Sequence, residues 1–219
     1  MTDVPPSPAA LEARAKIAAL RKNVSRIGDT DLDLLFRVAR THNAWQDKPV
    51  PDALLREIVD IMRIGPTSQN CQPCRIVFVR SAEQKAKLAD CAGPTNQPKI
   101  KAAPLTAIVG YDTKFYEHLK RTFPHRPEIG DNYRNNAALA EATAFRNGSL
   151  QGAYFIIAAR AVGLDTGPMS GFNNAKVDEL FFAGTAVKSN FLCCLGYGDE
   201  KGILHKLPRL EFDEIVRFV

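Results

Sequence analysis

The segment Gly163-Leu164-Asp165-Thr166-Gly167-Pro168-Met169-Ser170-Gly171-Phe172 constrains this chain more than any other. It sets a glycine at every fourth position and a proline among them, directly after an apolar helical stretch. Glycine permits backbone conformations and close approaches that a Cβ forbids, and it also ends helices and makes turns. Two readings follow: ordinary turn chemistry, or a site where main-chain N–H groups come close to a flat or charged ligand. The rest of the chain has to decide between them.

A chain of 219 residues can bury a substantial core as one domain, or as one domain with an appended arm. Its 45% apolar and 24% charged residues are those of an ordinary folded, soluble protein. The longest apolar run, Ala153 to Ala159, is ended by Arg160, far short of the roughly 18 residues of a membrane span. The N-terminus lacks a basic-then-apolar signal pattern, which predicts a cytoplasmic protein. The net charge of +5 is spread along the chain, which argues against a nucleic-acid stripe and for a few anion-binding positions.

Cys71, Cys74, Cys91, Cys193 and Cys194 make an odd number without an export signal, which predicts reduced thiols. Cys71-Gln72-Pro73-Cys74 has redox spacing. However, it follows a helical segment and runs into the strand-like Arg75 to Val79, the reverse of a thioredoxin-type context. Cys193-Cys194 lacks zinc-pair spacing, so the thiols are expected as small buried hydrophobes and no metal site is predicted.

Residues 1 to about 9, with three prolines, read as a loose arm, followed by a short helix from Ala9 to Arg21. This gives a first segment of residues 1–30 and a domain of residues 31–219. A second helix is predicted after the capping residues Asp29-Thr30-Asp31, and a third from Pro51-Asp52 until Gly65-Pro66 stops it. Then come a strand near Arg75 to Arg80, a helix from Ala82 to Cys91, an apolar strand around Leu105 to Gly110 and a helix near Thr113 to Lys120. Arg121 to Asn136 lacks periodicity and reads as a lid or excursion. Ala137 to Val162 reads as a long central helix, in which Ala138, Ala142, Ala144, Gly148, Gly152 and Ala153 would let neighbours pack closely. A helix from Asn174 to Phe182 and a buried strand from Val187 to Tyr197 complete an α+β domain with one sheet, followed by a tail holding Lys206 and Arg209.

No G-x-G-x-x-G after a strand, G-x-x-x-x-G-K-[ST], H-E-x-x-H or G-x-S-x-G occurs, and the four histidines share no ligand spacing. Polar clusters remain. Arg40-Thr41-His42-Asn43-Ala44-Trp45 closes the second predicted helix, where a cation equally serves the helix dipole. Gly65 to Pro73 sets two hydroxyls and three amides in one loop, able to read a heterocycle's polar edge or simply to be solvated. Lys206 and Arg209 could aim two cations at one phosphate, or form a solvated basic tail.

In order and content these turns resemble the nitroreductase family, over about residues 30 to 219. The matching residues are Arg40-Thr41-His42-Asn43, Gly65 through Pro73, Asn96 ahead of Ala103-Pro104, Gly163 through Phe172, Gly196-Tyr197-Gly198, Lys206 and Arg209. The versions of the first cluster and of Leu164 to Phe172 are most similar to the malonic semialdehyde reductase branch of pyrimidine catabolism. The resemblance implies a nitroreductase-like mixed sheet flanked by helices around a long central helix. It also implies a homodimer with FMN at its interface, and NADPH or NADH as co-substrate. Arg40, Lys206 and Arg209 would face the FMN phosphate, with Thr41 or His42 adding a contact and the register through Asn43 open by one residue. Pro66, Thr67 and Ser68 would lie along the isoalloxazine, and Asn70 and Asn96 would meet its polar edge or ribityl chain. Pro168, Met169, Ser170 and Gly171 would pass beside N5. Hydride transfer at the flavin needs no side-chain nucleophile. Arg134, or Arg121 and Arg126, would meet an acceptor's carboxylate. Nitroaromatic or quinone reduction, and a flavin-free binding protein, are the alternatives.

Overall fold

The computed structural model describes residues 6–219. Most of the predicted proline-rich arm, including Pro5, lies outside the described residues. The chain divides into two compact units, residues 1–39 and 40–219. In the first, Ser7 caps α1 (Pro8–Asn23), its hydroxyl accepting from the Ala10 N–H at 3.3 Å, and none of the helix's residues is buried. The predicted second helix starts earlier, at its acidic residues: α2 (Asp29–Leu32) runs on as a π-helical turn over Asp33–Arg37.

The second unit is built on four antiparallel strands in the order β1-β2-β4-β3, namely β1 (Cys74–Val79), β2 (Leu105–Asp112), β3 (Asp165–Met169) and β4 (Val187–Gly196). An isolated parallel bridge joins Thr41 to Thr166 on β3. All eight residues of β2 are buried, as an apolar strand covered on both faces must be. Alternate residues serve opposite faces. Leu105, Ala107 and Val109 of β2, with Cys193 and Leu195 of β4, pack against α3 (Asp52–Met62) and α8 (Ala137–Ala161). Ile108, Leu192 and Cys194 face the other side, against α4 (Ala82–Asp90), α5 (Gln97–Ala102) and α9 (Asn174–Phe181). Each such Leu or Ile removed from water is worth about 1.5–3 kcal/mol.

α8 lies close to the sheet because it carries glycine where it crosses: a Cβ on Gly152 would clash with the edge of the Phe191 ring. Of the small residues expected to face neighbours, Ala144, Gly148 and Gly152 are buried, whereas Ala138, Ala142 and Ala153 sit on the exposed face. A bulge opposite Val109/Gly110 leaves Asn190 out of the ladder, and its amide donates to Ser149 Oγ at 2.9 Å.

Three expectations are corrected. The glycine-rich segment contains a strand, β3; Gly167 and Pro168 mask it, and proline is admissible because β3 is a sheet edge. The predicted helix near Thr113 to Lys120 divides into a 3-10 turn at Phe115–His118 and α6 (Leu119–Thr122). The aperiodic excursion holds α7 (Ile129–Arg134), too short to show a period, with Ile129 and Tyr133 packed beside Phe115 and Leu119. The tail beyond Gly202 is exposed throughout, with one turn of helix, α10 (Phe212–Ile215).

Candidate active site

The first polar cluster is stitched between β3 and the turn after β4. Its backbone is held at both ends: His42 N–H donates to Thr166 O at 3.0 Å and Gln46 N–H to Tyr197 O at 2.8 Å. The His42 side chain turns inward, 9% exposed, with Nε2 3.1 Å from Asp165 Oδ1. Asp165 Oδ2 accepts the Gly198 N–H at 2.8 Å. Glycine is required at position 198, where a Cβ would fall inside the imidazole. His42 Nδ1 is buried without a hydrogen-bond partner. His42 therefore faces its own fold, while Thr41 is exposed and Arg40 and Asn43 are half-buried. Helical structure ends at Arg37, so Arg40 follows the helix instead of closing its last turn.

The loop from Pro66 to Pro73 is strained: Gln69, Asn70 and Gln72 have φ of 53°, 49° and 42°. Left-handed conformations cost a non-glycine residue about 1 kcal/mol or more each, and persist only where neighbours over-determine them. The neighbours here are two amides one turn apart on α8. Asn147 Oδ1 accepts the Ser68 N–H at 2.8 Å, and Gln151 Oε1 accepts the Cys74 N–H at 2.9 Å. Both amides are 2% exposed. Tyr133 OH donates to Gln69 Oε1 at 2.7 Å, and Tyr154 OH to Pro66 O at 3.0 Å. Asn70 is engaged within the fold, donating to Thr122 O at 2.7 Å and accepting from Gln72 Nε2 at 2.8 Å. Pro66 and Ser68 are exposed and Thr67 half-buried, its Oγ1 accepting the Gln72 N–H at 3.2 Å. Sequence reasoning missed Asn147 and Gln151; their signal was two amides spaced i, i+4 among the small residues of the central helix.

At the end of β3, Asn96 Nδ2 and Gly93 N–H both donate to Gly171 O, at 3.1 and 2.9 Å. These bonds bring Asn96 to the glycine-rich turn. Pro168, Met169 and Ser170 line a cavity of about 270 Å3 whose remaining walls are Ile156 and Phe191. Apart from Ser170 that lining is apolar.

Arg209 Nη1 donates to Leu207 O at 2.8 Å and Pro208 O at 3.2 Å, and Lys206 lies on the same exposed tail. Arg134 is ion-paired with Asp131 and lies over the Tyr116 ring, 5.5 Å from its centroid. Arg126 pairs with Glu128 at 3.3 Å. All five cysteines are free thiols. Burial pushes Cys71 and Cys194 up to about 11 and Cys74 up to about 12, which keeps these three protonated near neutrality. Among the described residues, no group of His, Cys, Asp and Glu could hold a metal ion, and no helix is long and apolar enough to cross a membrane.

Comparison with known proteins places this arrangement. The family model described as "Nitroreductase family" matches residues 37–198. A Ralstonia pickettii protein that bears the name NADH dehydrogenase/NAD(P)H nitroreductase HadB is 58% identical over 185 residues, covering 84% of this chain and 94% of that one. A Burkholderia lata protein of corresponding name is 57% identical over 194 residues, 89% of this chain and 99% of its own length. Among solved structures, an Exiguobacterium sibiricum nitroreductase in complex with FMN superposes with a TM-score of 0.78 at 20% identity, covering 89% of this chain and 99% of that one.

Proposed function

The chain belongs to the nitroreductase family, and from that premise we propose that it is an FMN-dependent oxidoreductase passing hydride from NADPH or NADH to a small acceptor in two half-reactions. One observation carries the reading. The Thr41 to Thr166 bridge sets the Arg40 to Asn43 cluster alongside the strand that ends in Pro168 to Gly171, joining a polar donor set to an exposed backbone turn beside an apolar cavity. That donor set fits FMN. Arg40 and the exposed Thr41 hydroxyl suit its phosphate, with Lys206 and Arg209 completing the grip, because a dianion calls for charge-assisted bonds. Pro66, Thr67 and Ser68 offer a flat edge to the ring system. Asn70 would reach the ring or ribityl chain on exchanging its partners, and Asn96 would do so from its place against Gly171. The backbone of Pro168 to Gly171 would lie beside N5. When bound, FMN supplies two-electron chemistry at N5, and this chain's residues bind, orient and shield it.

The acceptor we propose is malonic semialdehyde, which with NAD(P)H and a proton gives 3-hydroxypropionate and NAD(P)+. Its carboxylate would be met by Arg134 released from Asp131, or by Arg121 and Arg126. A second reading, reduction of a nitroaromatic or quinone, is favoured by the apolar lining of Ile156, Met169 and Phe191. The working unit is a homodimer, supported by a tail that exposes Leu204, Leu207, Leu210 and Phe218. Its compartment is the cytoplasm, supported by five free thiols.

The visible spectrum of the purified protein, before and after NADPH, tests the cofactor. A yellow protein that bleaches is expected; a colourless one that stays so with added FMN overturns the reading. Relative kcat/KM then separates the acceptors, and a nitroaromatic preferred by orders of magnitude rejects the semialdehyde.

A further inference from the structure

Asp165 uses its two carboxylate oxygens for two different segments. Oδ1 meets His42 Nε2 at 3.1 Å, and Oδ2 accepts the Gly198 N–H at 2.8 Å. His42 returns the connection through its backbone, donating to Thr166 O at 3.0 Å. The ring is buried, and its Nδ1 has no partner. A proton on Nδ1 would be a buried donor without an acceptor, so Nε2 is the nitrogen that donates, to Asp165. The residues joined in this way are the neighbours of two groups assigned to the cofactor. Arg40 and Thr41 immediately precede His42, and Pro168 to Gly171 begin three residues beyond Asp165 on the same strand.

We infer that His42 and Asp165 form a positioning pair that fixes the phosphate-binding end of the first cluster in register with β3, so that the phosphate grip and the backbone beside the reacting ring are set by one clasp. His42 acts through Arg40 and Thr41 instead of touching the cofactor. The inference rests on the FMN reading above and deepens it. A clasp that merely stabilised the fold would, when cut, lower the melting temperature and weaken every flavin alike. A clasp that aims the phosphate donors would weaken FMN and leave riboflavin, which has the same ring and no phosphate, nearly unaffected.

The test compares FMN and riboflavin affinities, by quenching of flavin fluorescence, in the full-length protein at a temperature where each variant is folded. For His42→Ala and Asp165→Ala, FMN affinity should fall about 10-fold or more, the loss of about one charge-assisted contact. Riboflavin affinity should stay within about twofold. His42→Gln, whose Nε2 can donate to Asp165 in place of the imidazole, should restore most of the preference for FMN. An unchanged ratio of the two affinities in either alanine variant overturns the inference. If both alanine variants fail to fold, His42→Phe decides: it keeps a ring in the buried site but offers no donor to Asp165, and a ratio equal to wild type sinks the clasp. Arg40→Ala separates this from the parent reading. A wild-type protein with no preference for FMN refutes the phosphate assignment itself, and a preference that survives Arg40→Ala refutes Arg40's part in it. A preference lost in Arg40→Ala yet kept in the His42 and Asp165 variants refutes only the positioning pair.

Discussion

The Pro66 to Pro73 loop and the tail beyond Gly202 are both assigned to the cofactor, yet they are held in opposite ways. The loop contains three left-handed non-glycine residues, and its own chain pins it there through Asn147, Gln151, Tyr133 and Tyr154. The tail carries Lys206 and Arg209 among bare Leu204, Leu207, Leu210 and Phe218, the last 83% exposed. Strain in the loop is repaid by buried bonds that one copy provides. The tail's apolar side chains find no such cover in one copy. If both serve the proposed FMN site, that site is half preorganised and half dependent on association.

That contrast can be broken most sharply by deleting residues 203–219. The shortened chain should sediment as a monomer. It should also lose about 100-fold in FMN affinity, the equivalent of two charge-assisted contacts at about 1.5 kcal/mol each. A dimer with unimpaired FMN binding would show that the tail is ornamental.

On the loop side, Asn147→Ala leaves the Ser68 N–H without its acceptor, a cost of about 1–3 kcal/mol. The melting temperature should fall by roughly 5 °C while the oligomeric state stays that of the wild type, as sedimentation would check. A smaller effect is expected from Tyr133→Phe, which removes only the hydroxyl on Gln69. About 1 kcal/mol, or roughly 3 °C, should be lost in thermal melts.

A separate effect is alkaline. Burial raises Cys71, at the loop's end, and Cys194 in β4 from the ordinary 9.0 to about 11. Below pH 9 folded and unfolded chains both keep these protons. Between about 9 and 11 only the unfolded chain releases them, so stability is fully present below 9 and falls as pH rises. Melting temperatures compared near pH 8 and pH 10 should show the decline, and Cys194→Ala should lessen it, since Cys71 and Cys74 remain.

How much of this could be read from the residues depended on how far each signal reached along the chain. α8 and β2 announced themselves because an uninterrupted helical stretch, or an apolar run covered on both faces, is a local property. β3 did not. Gly167 and Pro168 suppress strand propensity, and the strand exists because β4 offers it a ladder at the sheet edge. The same distinction holds in the site. Arg40 to Asn43 and Gly65 to Pro73 stand out as polar clusters, but nothing near His42 foretells Asp165, and nothing in the loop foretells the amides of α8. α7 lay hidden for a different reason, its single turn and a half being too brief for any period to emerge.

The helix that floors the sheet also supplies the two side-chain oxygens on which the strained loop rests. Sliding or rolling that rod by a fraction of a turn would unseat both brackets together. Repacking around Gly152 or Phe155 should thus be felt first as misplacement of Ser68, well before the sheet itself gives way.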